Sequence, residues 1–194
     1  MATNEDRFFN EDLYVLKPGE YHATADNGIL GTVTGSSVVV CLYDRERGIG
    51  GMCHFIVPGT IGTKGILFDD IARSGVTNME LLMGEIVKLG GDRRQLKAKV
   101  YGSGEVGVED SRIGDILKGN LQFIEQYFKI EKIQIEEQDL GGTSRKKIFF
   151  EPKTGVVRKE EISPEDAALF VRLEKEYIDL VFKNKDKTGD VHMF

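Results

Sequence analysis

Two residues of the sequence, Ser37 and His54, are a nucleophile and a base that the local pattern could bring together. Both lie in or beside apolar, β-branched segments, and the polar stretch 44–48 between those segments predicts the turn of a hairpin. A loop of either two residues (45–46) or four residues (44–47) places Ser37 directly opposite His54. Facing side chains of an antiparallel pair have Cβ atoms about 4.5–5.5 Å apart, which is close enough for a hydroxyl and an imidazole to meet.

The same spacing also fits a plain polar pair across two strands, so it does not by itself establish catalysis. Strand alternation predicts that Cys53 points away from His54 and that Cys41 shares the face of Ser37, deeper in an apolar run. Both cysteines are therefore predicted to be buried structural thiols, which react less readily than exposed ones.

The composition is that of a globular protein with an acidic balance of charge. The chain has 194 residues, with 26 basic and 32 acidic side chains and a formal net charge of −6. This length fits one domain, and an acidic chain lacks the basic surface that general nucleic-acid binding requires. Two cysteines cannot organise the fold through a disulfide framework. The 23 glycines are more than average composition supplies and predict a domain rich in loops.

No segment of the sequence is predicted to target or cross a membrane. The first residues lack the positive region and apolar run of a signal peptide. The longest apolar run, 38–42, is far shorter than the roughly 20 residues of a membrane helix. We therefore expect a cytoplasmic protein.

Hydrophobic periodicity and turn signals predict a fold that contains both strands and helices. Strands are predicted at 36–43, 49–57, 96–101, 132–137, 146–150 and 155–160, and helices at 77–89, 111–128 and 163–182. Ser111 is the predicted cap of the second helix, and Ser163 that of the third. Residues 58–75 are predicted to form a long loop.

Four motifs, in order and at compatible spacings, resemble those of the CheD family, the chemoreceptor glutamine deamidases of bacterial chemotaxis. They are Gly-Ser-Ser-Val-Val-Val-Cys-Leu-Tyr-Asp at 35–44, Gly-Ile-Gly-Gly-Met-Cys-His-Phe at 48–55, Asn-Met-Glu-Leu-Leu at 78–82 and Glu-Gln-Asp-Leu-Gly-Gly-Thr at 137–143. The resemblance covers residues 20–160. It implies the cysteine-hydrolase fold of that family, an α+β fold with a layered mixed β-sheet or β-sandwich core and flanking helices. Residues 1–19 are then an extended lead-in, and residues 161–194 a C-terminal helix and polar tail packed on the same domain.

The resemblance also implies roles for particular residues. In the family a cysteine follows Gly-Ser, and a histidine seventeen residues later activates it. Here the nucleophile position holds Ser37, and His54 stands at the same interval as the general base and acid. The third residue of the family, a threonine, falls on Gly31, with Thr32 one residue away as the candidate.

A serine at the nucleophile position changes the chemistry. A thiol has a pKa near 8.5 and is readily activated beside an imidazole, whereas a serine hydroxyl loses its proton only to a well-oriented base during attack. We therefore predict little or no amide hydrolysis by the chain as written. Two explanations stay open: an engineered replacement of cysteine, or a natural member that no longer catalyses. Backbone N–H groups around Gly35 and Ser36 are candidate donors to an oxyanion.

The expected function is glutamine deamidation of chemoreceptors, with the cytoplasmic helices of the receptors as partners. The alternative is a non-catalytic protein that binds chemoreceptors or a CheC-type phosphatase through the same surface. No cofactor is expected, and no metal, because the three histidines have no metal-ligand spacing.

Three further patterns have plainer interpretations. The motif G-x-G-x-x-G at 102–107 could bind a dinucleotide, but its helix is predicted too late, so a flexible loop is favoured. Residues 141–147 could bind an anion, but a hairpin turn with a solvated basic flank is favoured. The last helix has an apolar stripe that is predicted to pack on its own domain, or else to bind a partner: Phe170, Leu173, Tyr177 and Val181.

Overall fold

The computed structural model describes residues 13–56, 61–62, 65–66, 75–107, 111–163, 167–168 and 170–179. In these residues a four-stranded sheet lies against one face of a five-stranded sheet, whose other face is covered by helices. The four-stranded sheet has the order β1 (Leu13–Val15), β3 (Ile29–Thr34), β10 (Lys146–Glu151) and β11 (Val156–Glu161). The five-stranded sheet has the order β2 (Tyr21–Thr24), β5 (Ile49–Phe55), β4 (Val38–Asp44), β8 (Lys97–Gly102) and β9 (Gln134–Leu140).

Apart from one turn of 3-10 helix at Arg93–Gln95, the remaining elements of the described residues are two short strands and three α-helices. They are β6 (Ile61–Gly62), β7 (Gly65–Ile66), α1 (Gly75–Lys88), α2 (Ile113–Glu131) and α3, which comprises residues 167–168 and 170–179. The sheets are mixed, since β1 pairs with β3 and β8 with β9 in parallel while the other pairs are antiparallel. The fold is thus α+β, as predicted. No helix in the described part of the chain is long and apolar enough to span a membrane.

Strand alternation divides the apolar side chains of β4 between two cores. Val38, Val40 and Leu42 face α1 and α2, whereas Val39 and Cys41 face the four-stranded sheet. Because both faces of β4 are covered, its sequence is a continuous apolar run rather than an alternating one. The segment that enters β4 is consequently held between two packed layers.

Most predicted elements are confirmed, with differences at their ends and in one loop, whereas β1, β2 and β3 were not predicted. The region predicted as a long loop contains β6 and β7, and residues 57–60, 63–64 and 67–74 lie outside the described residues. Helix α2 is preceded by Arg112 rather than capped by Ser111, and it ends at Glu131. The cap prediction was wrong because capping depends on local backbone geometry, which residue type alone does not determine.

The hairpin of β4 and β5 forms as predicted, but its register differs by one pair. His54 faces Val39 rather than Ser37, because the four-residue loop is 45–48 and not 44–47. Gly48 has φ +64°, a left-handed conformation that glycine adopts without strain, and this places the glycine inside the turn. The parity of the pairing is unchanged, so Ser37 and His54 still lie on one side of the sheet, as diagonal neighbours.

Candidate active site

Ser37 lies where the chain leaves β3 of one sheet and enters β4 of the other. The Thr34 hydroxyl donates to the Ser37 carbonyl at 2.7 Å, and the backbone N–H of Ser103 donates to the same oxygen at 2.8 Å. Gly102, at the end of β8, permits this close approach: it has φ +109°, and a Cβ atom there would lie 2.0 Å from the Ser37 carbonyl oxygen. The backbone of Ser37 is therefore fixed by two neighbouring strands.

The side chains of Thr32, Ser37 and His54 form a hydrogen-bonded series. His54 Nε2 lies 2.8 Å from Ser37 Oγ, and His54 Nδ1 lies 2.9 Å from Thr32 Oγ1. The Thr32 hydroxyl donates its proton to the Leu16 carbonyl at 2.8 Å, so Thr32 Oγ1 accepts a hydrogen bond from Nδ1–H. In the neutral ring this leaves the Nε2 lone pair directed at the Ser37 hydroxyl.

The environment of His54 keeps its ring uncharged. The residue is 1% exposed, and burial lowers the pKa of the imidazole to about 3 because the protein interior disfavours the charged form. At neutral pH the ring is therefore a base that can accept a proton. An oriented neutral imidazole beside a hydroxyl is the arrangement used in nucleophilic catalysis.

A fourth group, the Glu174 carboxylate of α3, reaches the same serine. Glu174 Oε1 accepts from the Ser37 hydroxyl at 2.9 Å and from the Ser37 backbone N–H at 3.2 Å. Glu174 Oε2 lies 2.6 Å from Nη1 of Arg145, in an ion pair whose two side chains are only 3% and 4% exposed. The site therefore contains a buried ion pair between Arg145 and Glu174, and its carboxylate is supplied by the C-terminal helix α3.

The structure separates the predicted site residues into those that meet and those that do not. Thr32, the candidate next to Gly31, contacts His54 through its hydroxyl. Of the backbone N–H groups near the predicted oxyanion donors Gly35 and Ser36, that of Ser37 donates to Glu174. The Gly35 carbonyl accepts a hydrogen bond from the Gly104 N–H. The hydroxyl of Ser36 is buried without a hydrogen-bond partner among the described residues.

The two cysteines lie in the cores, away from this series of side chains. Cys41 is buried between the sheets and Cys53 beneath α1. Burial raises the pKa of both thiols, because a thiolate is poorly solvated there. Both positions agree with the prediction that these are structural residues.

Two predictions about surrounding segments are correct only in part; of the predicted stripe on α3, Tyr177 is buried and Phe170 is partly buried. The basic flank of the turn at 141–147 is not fully solvated, since Arg145 is 4% exposed and pairs with Glu174. On α3 the buried face is formed by Glu174, Tyr177 and Ile178, whereas Leu173 is 39% exposed; Val181 lies outside the described residues. Sequence reasoning missed Glu174, although a carboxylate between the apolar residues of one helix face was a signal that could have identified it.

The glycine motif at 102–107 supports the site rather than opening a helix. Its residues 103–107 are irregular, and the N–H of Glu105 donates to the Gly142 carbonyl at 2.8 Å. Helix α2 begins only at Ile113. Within the described residues no group of three or more His, Cys, Asp or Glu side chains converges to form a donor set for a metal ion.

Comparison with known proteins identifies the family. A family model described as "CheD chemotactic sensory transduction" matches residues 62–161, just over half of the chain. The chain belongs to the CheD family. The matched range lies after Thr32, Ser37 and His54, but relatives in this family span those positions too.

Two CheD relatives are similar over almost their whole length. A Shewanella oneidensis protein named "Probable chemoreceptor glutamine deamidase CheD 1" is 39% identical over 191 residues, covering 97% of this chain and 91% of its own. A protein of Janthinobacterium sp. (strain Marseille), named "Probable chemoreceptor glutamine deamidase CheD", is 34% identical over 197 residues, covering 100% of this chain and 95% of its own.

Among solved structures, the Bacillus licheniformis hypothetical protein YfiH is similar at a TM-score of 0.40, with 13% identity, over 71% of this chain and 62% of that one. The assignment to the CheD family rests on the sequence comparisons.

Proposed function

We propose that this site is built to deamidate glutamine side chains on the cytoplasmic helices of chemoreceptors, and that Ser37 leaves it with little or no turnover. The observation that supports the proposal is the series Thr32–His54–Ser37, with contacts of 2.9 and 2.8 Å at a nucleophile position. The relatives that share this chain's length are named for the same reaction. The site is proposed to work in the cytoplasm.

With a cysteine at position 37 the proposed reaction proceeds in two stages. His54 Nε2 takes the thiol proton as sulfur attacks the side-chain carbonyl carbon of glutamine, and the backbone N–H of residue 37 donates to the developing oxyanion. The tetrahedral intermediate collapses, and His54 returns the proton to the leaving nitrogen, which departs as ammonia. Water, deprotonated by His54, then attacks the thioester, and glutamate and the thiol are released.

The serine is a much poorer nucleophile in the same geometry. Its hydroxyl has a far higher pKa than a thiol, so the base must remove the proton as attack occurs. Oxygen is also smaller than sulfur, and a site fitted to a thiolate holds the hydroxyl farther from the reacting carbon. Thr32 orients His54 in either case, so we expect the loss to come from the nucleophile alone.

Ser37 also favours a second function, binding without chemistry. In this case the chain engages chemoreceptor helices, or a CheC-type phosphatase, through the surface around the site. The specific observation in its favour is that Glu174 already holds the Ser37 hydroxyl at 2.9 Å. Binding without ammonia release, in both the parent chain and its Ser37→Cys variant, would distinguish this function from deamidation.

The experiment compares this chain with its Ser37→Cys variant on purified chemoreceptor cytoplasmic fragments. Ammonia release and the masses of receptor peptides are followed, and the variant is expected to deamidate receptor glutamines at least about 100-fold faster than the parent chain. The double variant Ser37→Cys, His54→Ala is the matched control and should lose that gain. If no protein that carries Ser37→Cys, including the combination with Glu174→Gln, releases ammonia from the receptor fragments, deamidation is excluded as the function of this site.

A further inference from the structure

Helix α3 places one carboxylate within the face that it buries against the domain. Glu174 is 3% exposed, and it lies on the same helix face as Tyr177 and Ile178. Burying a carboxylate is costly unless the charge is paired and hydrogen-bonded. Among the described residues, the groups that hold this carboxylate are Ser37 and Arg145. Ser37, at the proposed nucleophile position, therefore forms part of the surface on which α3 packs.

The position of this carboxylate matches that of the group which deamidation produces. Glu174 Oε1 lies 3.2 Å from the Ser37 backbone nitrogen, the proposed oxyanion donor, and 2.9 Å from Oγ, the attacking atom. Deamidation leaves a glutamate side chain at this point. We infer that Glu174 is an intramolecular mimic of the product, and that α3 occupies the groove in which a substrate helix binds. This inference rests on the proposed function.

The groove under α3 shows what kind of helix it fits. Tyr177 and Ile178 pack with Ile56 and Ile116 in one buried cluster, and Val171 lies partly buried against it. Relative to Glu174, the three α3 side chains of this cluster occupy positions −3, +3 and +4, which project from the same face of a helix. The partner is therefore an amphipathic helix with apolar residues at those three positions around its glutamine.

Arg145 makes the groove favour a carboxylate over a carboxamide. Its Nη1 atom lies 2.6 Å from Glu174 Oε2, and a guanidinium has only donors. An amide nitrogen at the position of Oε2 would face Nη1 of Arg145, so that two hydrogen-bond donors would point at each other with no acceptor between them. A carboxamide can place its single oxygen at the Ser37 N–H or at Arg145, but not at both. Product-like groups are consequently retained more strongly than the substrate group.

The docked helix also holds the nucleophile in an unreactive state. The Ser37 hydroxyl has one proton, and Glu174 Oε1 competes with His54 Nε2 for it at 2.9 and 2.8 Å. In the Ser37→Cys protein the carboxylate disfavours the thiolate by like-charge repulsion. Turnover of a receptor therefore requires α3 to leave the groove, and a substrate helix competes with α3 for it.

The test uses the full chain with Ser37→Cys, alone and combined with Glu174→Gln. In the double variant the carboxamide introduced at position 174 is itself a substrate, presented within the same molecule. The sulfur at position 37 displaces ammonia from this carboxamide, and water hydrolyses the thioester, so that residue 174 becomes glutamate and gains about 1 Da. Peptide mass spectrometry should show this conversion with a rate independent of protein concentration, because the reaction is intramolecular.

Alkylation of the introduced thiol by iodoacetamide gives a second readout, taken as the initial rate in freshly prepared protein whose residue 174 is still glutamine. This initial rate should be at least about tenfold faster in Ser37→Cys, Glu174→Gln than in Ser37→Cys, because the weakened contact with Arg145 frees α3. As residue 174 is converted to glutamate, the rate should fall to that of Ser37→Cys. Ser37→Cys, Glu176→Gln is the matched control, since the Glu176 side chain is 64% exposed on the same helix. Its introduced thiol should be alkylated at the same rate as that of Ser37→Cys alone. The buried thiols of Cys41 and Cys53 provide an internal reference.

The outcomes separate the inference from the proposed function. Unchanged alkylation and an unconverted carboxamide at position 174, in a protein that deamidates receptor fragments, overturn the product mimic and leave the proposed function standing. Faster alkylation without this conversion also overturns it, because α3 then only covers the site. The proposed function fails if no protein that carries Ser37→Cys releases ammonia from receptor fragments, and this result is measured independently of residue 174. Conversion at position 174 together with faster alkylation supports the inference.

Discussion

Ser37 Oγ lies 2.8 Å from His54 Nε2, although the hairpin pairs His54 with Val39. The contact is diagonal between β4 and β5, and Ser37 itself stands one residue before β4 begins. The other ring nitrogen is held by Thr32, which belongs to the second sheet. Two sheets and the turn between them therefore align the His54 ring with Ser37, the proposed nucleophile position.

Replacing Thr32 should impair catalysis by releasing the His54 ring. In the Ser37→Cys background, Thr32→Val removes the acceptor for Nδ1–H and the donor to the Leu16 carbonyl, and we expect deamidation to slow by about 10- to 100-fold. The free energy of unfolding should fall by about 1–3 kcal/mol, because buried polar groups lose their partners. Thr32→Ser keeps the hydroxyl and should restore most of the rate. Equal rates for Thr32→Val and Thr32→Ser would show that Thr32 does not position His54.

The stability of the protein should depend on the protonation of His54 below neutral pH. Burial lowers the pKa of His54 to about 3 in the folded chain, while the unfolded chain keeps the ordinary value near 6.5. Between these values the unfolded state binds the extra proton, so the contribution of His54 to stability is present above pH 6.5 and is lost as the pH falls.

Urea unfolding of the parent chain and of His54→Gln, at about pH 7 and pH 5, measures this effect. The parent should lose about 2 kcal/mol more than the variant over that interval. Other titrating groups contribute equally to both proteins and cancel in the comparison. A difference in unfolding free energy that does not change with pH would show that the folded chain protonates His54 as readily as the unfolded chain does.

Removing the charge of Arg145 should undock α3. Arg145→Met leaves the Glu174 carboxylate buried without its cation, a situation that costs about 3–5 kcal/mol when the group cannot escape. Here the helix can leave, so tryptic cleavage after Lys175 should accelerate by about tenfold or more. The double variant Arg145→Met, Glu174→Leu removes both charges and should return cleavage towards the parent rate. Cleavage that stays fast in the double variant would assign Arg145 a structural role unrelated to Glu174.

Gly102 should tolerate no side chain, because it lies against the nucleophile segment. A Cβ atom at this position would be 2.0 Å from the Ser37 carbonyl oxygen, and the φ of +109° is unfavourable for alanine. We expect Gly102→Ala to lower the free energy of unfolding by more than about 2 kcal/mol. Gly84→Ala, on the exposed face of α1 with no atom within 4 Å of the new methyl group, is the control. It should stabilise the chain by about 0.5–1 kcal/mol, as measured by thermal unfolding.

Most of the fold could be predicted from the sequence because its local signals agree with its tertiary structure. The buried run 38–43 is apolar on both faces, and α1 ends at Lys88, just before Gly90, which has φ +104°. The contact between Ser37 and His54 was also predictable, since it depends on the parity of the hairpin and not on its exact register. The register itself was wrong by one pair because Gly48 lies inside the turn.

The pairing of Glu174 with Arg145 could not be predicted from the sequence for a physical reason. Their pairing joins segments that are 29 positions apart, and a charged residue on an apolar helix face gives no indication of the partner that compensates it. The basic stretch 145–147 gives the pattern of a solvated turn, and only the packing of α3 over it shows that Arg145 is buried. Long-range compensation of charge is determined by tertiary contacts and has no local pattern.

The division of the site between two sheets has a consequence for how the family can vary. The hydrogen bond between Thr32 and His54 crosses the core that separates the sheets, which includes Cys41, Tyr101 and Phe150. The thickness of that core sets the distance between the two strands, and so the length of this bond. Substitutions of core residues that never touch a substrate can therefore change the catalytic rate while the fold and the binding surface stay the same.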